Sequence, residues 1–308
     1  MTAAQTDALL ERCGPLPPVR TAVVHPVKPS AVVAAEEARR LGLILPVLIG
    51  PAGRVQAAAD EAGVDIATWE RIDVEHSHAA ASQAAALAAS GHVDVLMKGS
   101  LHSDELLEAV VRPEAGLRTE RRISHAYFMT IATYPTSFII TDAAVNILPD
   151  LQAKADIVQN AVDLWRALYD APPKVAILAA VEVVNPKMPA TLDAAALCKM
   201  ADRGQITGCV VDGPLAFDNA VSREAAAEKG IVSPVAGAAD ILVVPDIEAG
   251  NMLAKQLTFL SGAEAAGIVL GARVPIVLTS RADNERSRLL SCALAVLLAA
   301  ARKAGKIK

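Results

Sequence analysis

Four stretches of this chain place small and charged residues directly after an apolar run. Lys98-Gly99-Ser100-Leu101-His102-Ser103 follows Val93 to Met97, and Asp212-Gly213-Pro214-Leu215-Ala216-Phe217-Asp218 follows Cys209 to Val211. Pro245-Asp246-Ile247-Glu248-Ala249-Gly250-Asn251 follows Ile241 to Val244, and Ser280-Arg281-Ala282-Asp283 follows Pro275 to Thr279. Hydroxyls, cations and glycines in such places suit an anion, which backbone N–H groups and a guanidinium fork can hold. Arg281 is the sharpest case, because an arginine between an apolar strand and a helix sits beside unpaired N–H groups. Each stretch also has a plainer reading. Ser100 or Ser103, Asp246, and Ser280 or Asp283 are good helix caps, and Asp212-Gly213-Pro214 is a turn signature in its own right.

For these stretches to meet, their strands must end at one edge of a sheet. Thr21 to His25 is a β-branched run broken by Pro26 and Pro29, and Ser30 can cap a helix that runs through Arg40. Leu43 to Ile49 is the next strand, followed by helices around Ala57 to Ala62 and Ala79 to Ser90, and then by the strand Val93 to Met97. This alternation predicts an α/β fold with a mainly parallel sheet. Ala126 to Thr133 and Ser137 to Asp142 flank Tyr134-Pro135-Thr136, which predicts one antiparallel hairpin. After the amphipathic helix Leu151 to Tyr169 the alternation resumes at Val175 to Ala180. The pattern divides the chain near Asn146. It predicts a first domain of 1–143 plus 267–308, with the final helix Asn284 to Lys303 packing back on it, and a second domain of 144–266.

Composition narrows the function classes. Hydrophobic residues make up 53% and charged residues 20%, enough apolar mass for a sizeable core and too little charge for disorder. The net charge is -5, and no basic run exceeds pairs such as Arg121-Arg122, so the stripe that nucleic-acid binding needs is missing. The longest apolar run, Leu289 to Ala301, is shorter than the roughly 20 residues of a membrane span. Cys13, Cys198, Cys209 and Cys292 are widely separated, which is neither metal spacing nor a disulfide framework, and the first residues lack the pattern of a signal peptide. A reduced, cytoplasmic protein is the expectation. No GxGxxG, GxxxxGK[ST], HExxH or GxSxG occurs. Glu75-His76-Ser77-His78 has metal-like composition but no partner cluster, and is read as a solvated turn; His25, His92 and His125 stand alone and are read as structural.

Taken together and in this order, the loops resemble those of the phosphate acetyltransferase and phosphate butyryltransferase family. The residues that carry the resemblance are Asp212 through Asp218, Val244 through Met252, Pro275 through Ser280-Arg281, and Asn185-Pro186-Lys187-Met188-Pro189. It covers most of the chain from about Val93 to Ala299. It implies reversible exchange of phosphate and coenzyme A on a short acyl group, without a metal or a permanently bound cofactor, coenzyme A being a substrate. It also implies two three-layer αβα domains around a cleft, like isocitrate and isopropylmalate dehydrogenases, in a homodimer. Carried over residue by residue, Ser280 holds the thiol and Arg281 binds the phosphoryl group. Arg112 before Pro113 matches a family arginine, and Arg122 is a second anion-binding candidate. Lys98, Gly99, Ser100, His102, Asn185, Lys187, Asp212, Asp246 and Asn251 complete the expected substrate-binding set. Some members carry an aspartate seven positions after the serine as base for the thiol; Ser287 stands there, which leaves Asp283 or Glu285 as the nearby acids.

Acetyl is the expected acyl group on prior frequency, and the Asn185-Pro186-Lys187-Met188 loop would equally suit butyryl. A non-catalytic module sensing acyl-CoA is the rival reading of a different class. A fold relative such as a metal-dependent dehydrogenase is another, and it would need Asp212, Asp218 and Asp246 to converge on a metal.

Overall fold

The structure, a computed structural model, describes residues 2–278 and 284–307. The first stretch of chain runs α1 (Thr2–Cys13), β1 (Val19–Val24), α2 (Pro29–Arg40), β2 (Ile44–Gly50), α3 (Ala52–Ala62), β3 (Glu70–Asp73), α4 (Ser77–Ala89), β4 (Val95–Lys98) and α5 (Ser103–Val111). The middle holds β5 (Ser124–Thr130), β6 (Phe138–Thr141), α6 (Leu151–Leu168), β7 (Lys174–Leu178), α7 (Pro189–Asp202), β8 (Val210–Leu215), α8 (Phe217–Val221), α9 (Arg223–Glu228), β9 (Ile241–Val243) and α10 (Ile247–Ser261). The chain closes with β10 (Glu264–Leu270), β11 (Ile276–Val277) and α11 (Glu285–Lys303). The fold is mixed α/β, with a large sheet and helices packed on it.

Two compact units emerge from the contacts, one of residues 6–121 and 266–305, the other of residues 122–265 with the chain ends. The first break therefore falls between Arg121 and Arg122, whereas the sequence pattern put it at 143/144. The reason is the hairpin: β6 pairs antiparallel with β5 but parallel with β9, which fastens residues 124–141 to the second unit.

In the first unit the strand order is β3-β2-β1-β4-β11-β10. Every pairing from β3 to β11 is parallel, and β10 runs antiparallel to β11. Nearly every residue of β1 and β4 is buried, the mark of strands covered on both faces. Helix α2 packs against α3 and α11, and all three lie on the sheet; α4 lies on the sheet as well and packs against α5. Alanine makes this close approach possible: Ala34, Ala35 and Ala38 of α2 and Ala80, Ala81, Ala84 and Ala85 of α4 are all buried. Register sets the site. Val24 of β1 lies opposite Lys98 of β4, and Met97 lies opposite Val277 of β11, so the three strands end at nearly one level. The chain continues from β1 to β2 on one side, while β4 lies on the other side of β1, which makes the gap between β1 and β4 the switch point of this sheet.

The second unit carries β5-β6-β9-β7-β8, parallel after the β5–β6 hairpin. Its core joins Met129, Phe138, Ile140, Leu178, Leu215 and Leu242. All four cysteines are free thiols. Burial pushes Cys13, Cys198 and Cys209 up to about 11 and Cys292 up to about 12.

Several sequence expectations change. The helix after β1 is capped by Lys28 with Pro29 at its first turn and no side-chain cap, so Ser30 does not cap it. The sheet has a second antiparallel pairing, β10 with β11, besides the hairpin. Glu75-His76-Ser77-His78 is a helix start rather than a turn: His76 Nδ1 accepts a hydrogen bond from the Ala79 N–H at 3.1 Å and caps α4.

Candidate active site

At the switch point of the first unit lies a cavity of about 220 Å³. Its wall combines the β1–α2 connection (Lys28, Ser30), the end of β4 (Met97, Lys98), the Gly99-Ser100 turn, and Arg288 from α11. The turn is held by backbone. The Gly99 N–H donates to the Val24 carbonyl and the Ser100 N–H to the His25 carbonyl, each at 2.9 Å. Gly99 is required there, because a Cβ would stand 2.4 Å from the Val24 oxygen. His25 contributes its carbonyl from a left-handed backbone, φ 56°, which is strained for a residue with a side chain. Its imidazole is buried and its pKa is lowered, first by burial and then by the Arg54 charge. Ser100 Oγ is buried against the cavity and has no hydrogen-bond partner among the described residues.

Electrostatics favour an anion in this space. Lys28, Lys98 and Arg288 all line it, and so does the first turn of α2, whose N-terminal end carries a partial positive charge. Beyond Arg288 sits an acidic pair. Glu37 of α2 and Glu285 at the start of α11 share a hydrogen bond, and Glu37 is pushed up by burial and by the Glu285 charge, against the pull of Arg288 and Arg40.

Of the predicted site residues, Lys98, Gly99 and Ser100 meet at this cavity. His102 is the N-cap of α5, in a capping box with Glu105. Arg112 ends α5 and is paired with Glu108 at 2.8 Å on the exposed helix face. Ser280, Arg281 and Asp283 lie outside the described residues; β11, beside β4, precedes them, and α11, capped by Asn284, follows them.

The second unit uses its candidates differently. The Asp246 side chain accepts from the Ala249 N–H and caps α10. Asn251 Nδ2 donates to the Ala143 carbonyl at 3.2 Å, and Gly250 packs so close to the Asp142 carbonyl that a Cβ would lie 2.6 Å away. Asn185 Oδ1 accepts from the Lys187 N–H, while the Asn185 N–H donates to Thr191 Oγ1, closing a turn before α7. Asp212 Oδ1 takes the Gly213 N–H at 2.9 Å. Arg122 is exposed, with its guanidinium 3.8 Å from Asp150 and its backbone N–H bonded to Asp156. These are caps, turn bonds and tertiary ties within the second unit.

Sequence reasoning missed Lys28, Arg288 and Glu37. Lys28 and Arg288 each lie within eight positions of a residue already singled out, on the helices that flank the strand ends. Helical spacing from Glu285 to Arg288 was the available signal.

The geometry is that of an open α/β enzyme with a cationic pocket at its sheet switch point. The family model for phosphate acetyl/butaryl transferases matches residues 77–296. A phosphate acetyltransferase of Rhizobium meliloti is 57% identical over 301 residues, covering 98% of this chain and 95% of that protein. A phosphate butyryltransferase of Clostridium acetobutylicum is 43% identical over 266 residues, covering 86% of this chain and 88% of the relative. Among solved structures, a branched-chain phosphotransacylase from Enterococcus faecalis aligns with a TM-score of 0.80 at 30% identity, over 91% of this chain and 99% of that one. The chain belongs to the phosphate acetyl/butyryl transferase family, and it is an acyltransferase that works between coenzyme A and phosphate.

Proposed function

We propose that the favoured reaction is acetyl transfer: acetyl phosphate and coenzyme A give acetyl-CoA and phosphate, reversibly. One observation carries this reading at the level of the site. The cationic cavity at the β1–β4 switch point is lined by Arg288 of the helix that follows Ser280 and Arg281, and by the end of β4, which pairs with the strand that precedes them. Higher identity to the acetyltransferase than to the butyryltransferase supports acetyl over butyryl.

In this reading Ser280 holds the thiol of coenzyme A, and Arg281 binds the phosphoryl group and the oxyanion that forms on the acyl carbon. A free thiol ionises near pH 8.5, so a neighbouring cation and a base raise the attacking fraction at neutral pH. Asp283 or Glu285 is the base. Ser287 takes no part as a base, and its N–H is already used by the Asn284 cap. Donors aimed at the oxyanion lower the barrier, and holding both substrates in one site adds the gain from proximity. Lys98, Gly99 and Ser100 are assigned to phosphate binding. Arg112, Arg122, His102, Asn185, Lys187, Asp212, Asp246 and Asn251 keep the substrate-facing assignment only where a conformational change frees them from the bonds described above.

We further propose two αβα domains around a cleft, as in isocitrate and isopropylmalate dehydrogenases, which the two separately compact units support. A homodimer is supported by large apolar side chains left exposed on α10: Met252 at 64%, Phe259 at 69% and Leu260 at 82%. A cytoplasmic setting is supported by four unpaired thiols. Among the described residues no helix is long and apolar enough to cross a membrane, and no cluster of three or more His, Cys, Asp or Glu is placed to hold a metal.

The test is thioester formation from coenzyme A with acetyl phosphate and then butyryl phosphate, with chelator present. Turnover with acetyl phosphate as the faster donor is the expected result. Faster turnover with butyryl phosphate would reverse the acyl assignment. Binding of acyl-CoA without any turnover would make the chain a sensing module instead.

A further inference from the structure

We infer that His25 is a positioning residue of the active site, whose left-handed backbone and buried ring hold the Gly99-Ser100 turn where it meets the substrate. The inference rests on the assignment of Lys98, Gly99 and Ser100 to the substrate given above. It replaces the reading of a lone, merely structural histidine.

Conformation is the first observation. Among the described residues, His25 alone combines a side chain with a positive φ, 56°. Nothing local asks for it: Pro26 follows, and a residue before proline is normally driven to extended backbone. Such a conformation persists only where the surroundings over-determine it, and it gathers at functional sites. The second observation is what the conformation does. In a regular strand the N–H and the carbonyl of one residue face the same neighbouring strand. At His25 they part: the N–H donates to the Ile49 carbonyl of β2 at 2.7 Å, while the carbonyl accepts from Ser100, just past β4, at 2.9 Å. The carbonyl of Val24 takes the Gly99 N–H, also at 2.9 Å. Two consecutive carbonyls thus hold two consecutive N–H groups of the turn, and the left-handed twist at His25 supplies the second of them.

Packing is the third observation. His25 is gripped between glycines at the ends of β2 and β4. A Cβ on Gly50 would stand 3.5 Å from His25 Cα, and one on Gly99 would stand 3.0 Å from the His25 carbonyl carbon and oxygen. The imidazole is only 6% exposed, its Nδ1 lies 3.7 Å from where that Gly50 Cβ would be, and Nδ1 has no hydrogen-bond partner among the described residues. At this end the ring works by shape: it packs on the end of β2 and fixes the backbone from which it hangs.

His25→Asn, His25→Val and Gly99→Ala, made in the full chain, test this. For each, kcat/KM is measured with acetyl phosphate and with butyryl phosphate as donor to coenzyme A. Asparagine tolerates left-handed backbone, and β-branched valine does not. His25→Asn should stay within about threefold of the parent. His25→Val should fall roughly 10-fold or more, the scale of a small misplacement at a site. Gly99→Ala pushes the same turn off the Val24 carbonyl and should fall as far. The double variant His25→Val/Gly99→Ala should lie within about threefold of the worse single one, because both act through one turn. Equal losses in His25→Asn and His25→Val would overturn the inference in favour of direct use of the imidazole. Near-parental kcat/KM in folded His25→Val, or losses that multiply in the double variant, would overturn it outright. Circular dichroism and melting temperature show which variants are folded; where His25→Val is not, His25→Gln, unbranched but without asparagine's tolerance, is read in its place. A parent that prefers butyryl phosphate would reverse the acyl assignment and leave the His25 comparison standing, so the two failures are distinguishable.

Discussion

The ends of β4 and β9 look alike in sequence and behave in opposite ways. Each apolar strand runs into a loop of small and charged residues that opens a helix. After β9, every polar group singled out is taken up by the fold: Asp246 caps α10, Asn251 ties down the Ala143 carbonyl, and Gly250 lets the helix press on Asp142. That aspartate is itself committed, accepting the N–H groups of Ala144, Val145 and Asn146. After β4, glycine again permits a close approach, but the Ser100 hydroxyl has no partner among the described residues, the facing helix lacks a side-chain cap, and Lys28 and Lys98 line a cavity. The difference shows where a ligand belongs. It belongs where the fold leaves hydrogen-bonding capacity unspent.

Three experiments break or sharpen this contrast. The largest effect is expected at Arg281, on the segment between β11 and α11: Arg281→Ala should cut turnover by about 100-fold or more, the scale of losing one charge stabiliser of the transition state. Near-normal turnover would move the chemistry away from this edge of the first unit.

A second effect belongs to the interior of the second unit. His125 is fully buried, and burial lowers its pKa from the ordinary 6.5 to about 4, partly offset by the Asp142 carboxylate. Between those two values the unfolded chain binds the extra proton and the folded chain does not. Stability therefore rises with pH across this window and is lost on acidification, by at most about 1.4 kcal/mol per pH unit from this one group. Melting temperature followed from pH 7 downward in the parent chain and in His125→Gln checks it. A steeper acid slope in the parent is the expected outcome, and equal slopes would clear His125 of any part in acid unfolding.

The smallest effect is the most diagnostic for the comparison. Asp246→Ala should cost about 1 kcal/mol of stability, the usual worth of an N-cap, while KM for both substrates stays within about twofold. A tenfold change in either KM would show that Asp246 serves a substrate as well as the helix, and the contrast between the two strand ends would fail.

Much of the architecture was legible from periodicity. The alternation up to Met97 and the hairpin of β5 and β6 follow from β-branched runs and from the Tyr134-Pro135-Thr136 break. Two strands were not legible, for definable reasons. Glu70-Arg71-Ile72-Asp73 forms edge strand β3 with only one apolar residue, and Glu264-Ala265-Ala266-Gly267 opens β10 with small residues of weak strand preference. The first domain break was misplaced because β-pairing partners cannot be read from local pattern. In the site, Lys98-Gly99-Ser100 was found from strand-end position. Lys28 and Arg288 were not, since a lysine before a helix and an arginine within one look like ordinary solvated charge until packing brings them to a common wall.

The burial of the protein's own sulfur has a further consequence. Burial raises the pKa of all four cysteine thiols to about 11 or 12, which keeps them protonated at neutral pH. The reactive thiolate of the proposed reaction arrives with coenzyme A and departs with the product. Oxidants that attack thiolates therefore find little thiolate on the protein itself, and the sulfur they would meet is that of the substrate.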